Sequence, residues 1–370
     1  MIFLDNTILW LWLSGKSCIS RPKQHKLLHH FGDIESIYKA NLSDYHELKI
    51  FSDEELNLLS KKNLEECHEM FDRLGKLNAR VITIDNDSYP DFLRTIHTPP
   101  TVLYSRGTLR DFNNRFMIAM VGTRKATNYG KTCAYNIARE LSRSGTVVVS
   151  GMAMGIDAKS HEGALSGGSP TVAVIGTGVD IAYPTANSSL MKSIMANGAV
   201  LSEYPLGTRA EKYHFPDRNR IISGLCHGTL VVEADFRSGS LITAKYANEQ
   251  NRDVFAVPGN VNSVYSKGTN YLLKDGAHFV SGAEDILKFY KYEGLIEQES
   301  PHTEDNIEVN TDVSDPEKRI LSVLGEETVH TDTICQLTGL DIGTVNANLL
   351  MLELTGRIIK LAGGYYSAVK

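Results

Sequence analysis

The sequence predicts an α/β protein whose extended Rossmann-like core carries a helical module before it and a winged helix after it. Three observations lead there. From Phe116 onward the runs "FMIAMV", "TVVVS", "TVAVI", "GAVLS", "TLVVE" and "DVFAVP" alternate with helix-like stretches. Continuous apolar strands separated by helices indicate a parallel sheet covered on both faces. Before that core, apolar residues recur at helical spacing. After it, three helical patterns and a hairpin pattern suggest a winged helix.

The 370 residues exceed one ordinary core, so several domains are expected. Residues 1–78 form the predicted helical module. "KQHKLLHHFGDIESIYKA" and "DEELNLLSKKNLEECHEMFDRLGKL" are amphipathic and broken at Gly32-Asp33 and Ser52-Asp53. The core is expected over 79–290, opening with short β runs at 80–84 and 101–105 punctuated by prolines 90, 99 and 100. A solvated acidic linker follows over 291–315, since Glu293 to Glu317 holds many carboxylates and no Lys or Arg. The winged helix is expected over 316–370, from "PEKRILSVLG", "HTDTICQLTG", "DIGTVNANLLMLELTG" and the hairpin "RIIKLAGGYYS".

A net charge of −6 argues against a surface coated in positive charge. A local basic groove is compatible with it, because nucleic acid feels the field within about a Debye length, ~8–10 Å. The five cysteines are scattered without C-x-x-C spacing, which suits buried thiols in a reducing cytoplasm. "ILWLWL" is too short to span a bilayer and lacks a basic leader. A cytoplasmic protein without a membrane segment is expected.

Several enzyme signals fail. In "GTRKATNYGKT" seven residues separate Gly122 from Gly130, where a Walker loop needs four. "GTGVDI" has Ile181 in place of the third dinucleotide-fold glycine. Ser150 and Ser238 lack a G-x-S-x-G elbow, and the histidines lack metal spacing. Asp157, four residues before His161, reads as a carboxylate at a helix N-terminus. Glu203 and Glu233 end predicted strands at the ligand edge, where they serve either acid–base chemistry or the positioning of loops and arginines.

What remains is a set of donor-rich loops at one sheet edge. "VGTR" places Arg124 beyond the first core strand. "SGMAMG" and "ADFRSGSLITA" offer backbone N–H groups that approach anions closely. "YHFPDRNR" adds two guanidiniums, an amide and a ring, and "SKGTN" adds Lys267 and Asn270. Cations in a row beside an exposed ring suit a single nucleic-acid strand, whose backbone follows the charges while its bases stack. Of Arg218 and Arg220, one is expected to face the groove and the other to pair with Glu203 or Glu233 and hold the fold together. Phe215 is either a stacking platform or buried under its loop.

The ordered blocks "VGTR", "SGMAMGID", "GTGVDIAYP", "LSEYP", "FPDRNRIISGL", "VVEA", "SGSLITA", "VFAVPG" and "GTNYLL" resemble the bacterial DNA-processing protein A family (DprA, also called Smf) over about residues 85 to 285. The N-terminal helices are similar to that family's SAM or helix-hairpin-helix domain, with "LKIFSDEE" where a G-I-G hairpin is expected. The resemblance implies a single-stranded-DNA-binding homodimer that protects incoming DNA in natural transformation and hands it to the recombinase RecA. It implies no cofactor, no metal and no catalysis. Carried onto matching positions, the DNA contacts are Gly122, Arg124, Phe215, Arg218, Asn219 and Arg220, with Lys212, Lys267 and Asn270 added. The presumed recognition helix "DIGTVNANLLMLELTG" contains no Lys or Arg, which favours a protein-contact or regulatory role over duplex reading. The rival class is a Rossmann-type nucleotide hydrolase similar to the phosphoribohydrolases. Those carry P-G-G-x-G-T-x-x-E, and "VPGNVNSVYSKGTN" lacks both its second adjacent glycine and its glutamate.

Overall fold

The computed structural model describes residues 6–16, 18–292, 315–324, 328–354, 357–361 and 363–368. These fall into two compact units, one before and one after the stretch 293–314. The predicted linker, 291–315, therefore lies outside the described residues apart from its ends.

The larger unit opens with helices α1 (Asn6–Ser14), α2 (Arg21–Phe31), α3 (Ile34–Lys39), α4 (Leu42–Glu47), α5 (Asp53–Ser60) and α6 (Glu65–Lys76). The turn signals act as caps. The Asp33 side chain accepts from Ser36 N–H at the start of α3, and Ser52 with Glu55 forms a capping box on α5. In α1 every residue from Ile8 to Leu13 is buried. A helix that is apolar all round requires such surroundings, and both indole N–H groups find acceptors, Trp10 on Asp85 and Trp12 on the Lys61 carbonyl. Side chains of α1, α2, α3 and α5 share one core with Val102, Tyr104, Ala173 and Val200 of the sheet. Among the described residues no helix is long and apolar enough to cross a membrane.

The remainder of this unit alternates as β1 (Ala79–Thr83), α7 (Asp91–Arg94), β2 (Val102–Gly107), β3 (Met117–Val121), α8 (Asn128–Arg143), β4 (Val147–Ser150), α9 (Ile156–Gly167), β5 (Thr171–Val174), α10 (Ser188–Ala196), β6 (Gly198–Ser202), α11 (His214–Gly224), β7 (Gly228–Val231), α12 (Gly239–Glu249), β8 (Asp253–Ala256), α13 (Lys267–Lys274), β9 (His278–Phe279) and α14 (Ala283–Tyr292). Nine of the described strands form one sheet, in the order β1-β2-β6-β5-β4-β3-β7-β8-β9. From β6 to β9 all pairings are parallel, whereas β1–β2 and β2–β6 are antiparallel. Strands β3 to β7 are buried at every position, as continuous apolar runs require. The order reverses between β3 and β7, which opens a crevice at their C-terminal ends.

The second unit contains α15 (Asp315–Leu324), β10 (Val329–His330), α16 (Thr331–Thr338), α17 (Ile342–Leu354), β11 (Ile358–Leu361) and β12 (Tyr365–Ala368). Its strands pair antiparallel in the order β10-β12-β11, and Ile320, Leu324, Ile334, Val345, Leu349 and Ile358 make its core. Three helices and this small sheet are a winged helix.

A candidate nucleic-acid interface

A cleft of about 620 Å3 occupies the switch point, lined among others by Gly122, Arg124, Lys212, Phe215, Arg218 and Asn219. The chain after β3 supplies Gly122 and Arg124, and α11 supplies the opposite wall. Gly122 is small for a packing reason: a Cβ there would fall 2.5 Å from Ile156 Cγ1 and 2.9 Å from the Glu233 carbonyl. Arg124 and Lys212 are exposed, and Phe215 and Asn219 are half-buried. The Arg124 guanidinium lies over the Phe215 ring at 5.2 Å, and the Tyr183 ring flanks Phe215 at a centroid distance of 5.3 Å. The cleft therefore presents a partly exposed aromatic face beside cations.

The segment "HFPDRNRIISG" is helical from His214. Pro216 costs little there, because the first helical turn has no N–H bonds to lose. In a helix, residues two apart point about 200° apart, so Arg218 and Arg220 leave on opposite sides. Both are 4% exposed. Arg218 runs under the cleft floor, where Nη1 donates to the Gly151 carbonyl at 2.9 Å and also to the Val174 carbonyl. A Cβ at Gly151 would fall 2.7 Å from Arg218 Nη2 and 2.7 Å from Asp157 Oδ2, so the two charges converge behind that glycine. Burial pulls the Arg218 guanidinium down to about 10 against the opposing pull of Asp157. Burial likewise raises the Asp157 carboxyl, with Arg218 opposing.

Arg220 faces away from the cleft. It donates to Glu203 Oε2 at 2.5 Å and to the Thr98 carbonyl at 2.7 Å. One structural arginine was expected of this pair, and both are tied to the protein. Lys267 and Asn270 lie outside the cleft lining. Lys267 is exposed at the start of α13, while Asn270 holds Gly259, accepting from its N–H at 3.1 Å and donating to its carbonyl at 3.0 Å.

Two helix N-termini at this edge already hold the protein's own carboxylates. Glu233 accepts from Thr127 N–H at 2.9 Å and Thr127 Oγ1 at 2.7 Å, capping α8. Asp157 lies in the first turn of α9. Helix α12 instead begins at Gly239 on the cleft, with open space where a Cβ would be. Among the described residues no group of three or more His, Cys, Asp or Glu side chains is placed to hold a metal ion.

Sequence reasoning missed Lys125, Tyr183 and Arg237 as cleft residues. Tyr183 and Arg237 sit in loops singled out by their glycines and small residues, so the signal was the aromatic or cation embedded in each loop. Lys125, beside Arg124, was visible as a second adjacent cation.

The family model described as DNA recombination-mediator protein A matches residues 80–291, and the DprA winged helix domain matches 308–364. The chain is 33% identical to Protein Smf of Synechocystis, over 96% of this chain and 97% of that protein. The crystal structure of DNA processing protein A from Streptococcus pneumoniae matches with TM-score 0.67 and 34% identity, covering 77% of this chain and 98% of that one. DNA processing protein A from Helicobacter pylori, solved for its mode of single-stranded DNA binding, matches with TM-score 0.53 and 31% identity over 58% of this chain and 97% of that one. A matched core, a matched winged helix and a relative aligned over nearly its whole length agree: this chain belongs to the DNA recombination-mediator protein A family, DprA/Smf.

Proposed function

We propose that this protein binds single-stranded DNA in the cleft between the β3 loop and α11, as a recombination mediator that catalyses no reaction itself. The carrying observation is the pairing of exposed Arg124 and Lys212 with the half-buried Phe215 ring in a chain whose net charge is −6. Cations localised in one groove, beside a ring that accepts a base of any identity, are what a sequence-tolerant strand binder needs. Gly122, Arg124, Lys212, Phe215 and Asn219 make the contacts in this reading, and Arg218 braces the wall from beneath. Lys267 and Asn270 extend the track beyond the cleft, and Arg220 contributes only to the fold. Protection of incoming strands, delivery to RecA, a homodimer and a cytoplasmic setting complete the proposal.

Fluorescence anisotropy with equal-length single- and double-stranded oligonucleotides across a salt series tests it. A clear single-strand preference is expected, and equal tight duplex binding would overturn it. Arg124→Ala and Lys212→Ala should each flatten the salt dependence by up to about 0.7 log units per lost phosphate contact. An unchanged slope in both variants removes the cleft from the DNA path. Phe215→Ala should cost about 1–3 kcal/mol of binding if the ring stacks on a base. The hydrolase reading would need Glu233 as an acid or base, yet both its oxygens are engaged on α8. Release of free base from a nucleoside monophosphate, abolished in Glu233→Gln, would restore that reading.

A further inference from the structure

The DNA-facing wall is tied to the N-terminal helices through one side chain. Arg21 is the first residue of α2. Its Nε donates to Glu203 Oε1 at 2.5 Å, and its Nη1 and Nη2 donate to the two oxygens of Asp217 at 3.1 and 2.5 Å. Asp217 stands on the first turn of α11, two residues after Phe215 and one before Arg218. The second oxygen of Glu203 takes Arg220, so both arginines converge on one carboxylate at the end of β6. Tyr204 closes the group: its hydroxyl donates to Asp217 at 3.1 Å, and its ring lies 3.9 Å from that of His214. Burial works against ionising Asp217, but Arg21 and Arg220 outweigh it and hold the carboxyl below its ordinary range.

The tie has a second anchor. His25, one turn along α2, is hydrogen-bonded to the Pro99 carbonyl at 2.7 Å, and Arg220 donates to the neighbouring Thr98 carbonyl. Helix α2 thus grips both α11 and the segment behind it. Among the described residues near the cleft, Arg21 is absent from the lining, and its fork is spent on carboxylates.

We infer that Arg21 is a positioning residue for DNA binding: the N-terminal helices set the start of α11, and with it the Phe215 ring, through the Arg21 fork on Asp217 and Glu203. This rests on the reading of the cleft as the single-strand site. A planar, bidentate guanidinium fixes orientation as well as distance. Loss of the fork frees the first turn of α11, where few intrahelical bonds restrain it.

The test is a pair of variants with opposite charge changes, Arg21→Ala and Asp217→Asn, titrated as full-length protein with a fluorescent oligothymidylate at several salt concentrations. Thermal unfolding runs in parallel, so that every titration is made on folded protein. Each variant is expected to bind about fivefold more weakly, the scale of coupling between residues in one network, with the salt slope of the wild type retained. A purely electrostatic role for Arg21 predicts the contrary pattern: weaker binding for Arg21→Ala and tighter binding for Asp217→Asn. That pattern, or wild-type affinity in both folded variants, overturns the inference. Arg124→Ala in the same titration separates the two failures. If it loses affinity while the Arg21 and Asp217 variants do not, the cleft stands and the positioning role falls. If the wild type fails to bind the strand, the cleft reading falls first.

Discussion

Arg218→Ala is expected to destabilise the larger unit by about 3–5 kcal/mol, the scale of two buried hydrogen bonds from a charged donor at about 1.5–3 kcal/mol each. The guanidinium spans two strand ends, donating to carbonyls that follow β4 and end β5. It also faces Asp157, which is only 7% exposed. Truncation removes a charged donor from two carbonyls and the strongest opposing charge from the buried Asp157 carboxylate. Arg218→Lys rescues only part of this, because one ammonium does not reproduce the planar fork. Urea unfolding read by tryptophan fluorescence measures the effect, since Trp10 and Trp12, the only two in the chain, both lie in α1 of this unit. An unfolding midpoint within experimental scatter of the wild type would contradict this bracing role of Arg218.

Acid should weaken the same unit through His161. Its ring is fully buried, with Nδ1 2.8 Å from Thr171 Oγ1. The Thr171 hydroxyl gives its one proton to the Val148 carbonyl at 2.7 Å, so Nδ1 is the donor and Nε2 carries the lone pair. Nε2 has no hydrogen-bond partner, so an added proton finds no acceptor there. Burial first, and the charge of Arg218 second, pull the imidazole down to about 3. The folded state therefore keeps His161 neutral while the unfolded chain takes up a proton from about pH 6.5 downward. Stability from this group is complete above pH 6.5 and is lost as pH falls toward 3. Between pH 6.5 and 5 the loss amounts to about 2 kcal/mol. Asp157 opposes it at lower pH, because its raised carboxyl binds a proton more readily in the folded state than in the unfolded one. Urea midpoints at pH 7, 6 and 5 measure this, with His161→Gln expected to have the shallower pH dependence. Equal slopes in the two proteins would show that His161 is not the acid-sensitive group.

The opening helices, the core strands and the winged helix were legible because each follows a local rule. The six core runs each hold a strand within a residue or two of the expected ends, since a strand buried on both faces must be apolar throughout. The antiparallel edge formed by β1, β2 and β6 was not legible. Strand direction depends on how distant segments meet, and the same alternation of residues serves either direction. The site was legible by neighbourhood: Gly122, Arg124, Lys212, Phe215, Arg218 and Asn219 do gather at one cleft. The duties of the two arginines were not, because spacing of two puts side chains on one face of a strand and on opposite sides of a helix.

Composition and pattern alone determined the α/β class, the place of the donor-rich loops at one sheet edge, and a recognition helix whose residues Ile342–Leu354 carry no basic side chain. Tertiary structure decided which charges remain free. Glu203, Glu233 and Asp157 are spent on Arg21 with Arg220, on the start of α8, and against Arg218. Arg124 and Lys212 are left exposed to solvent at the cleft. A charge is available to a ligand only when no opposite charge in the fold has taken it, and that pairing joins residues as far apart in the chain as Arg21 and Asp217.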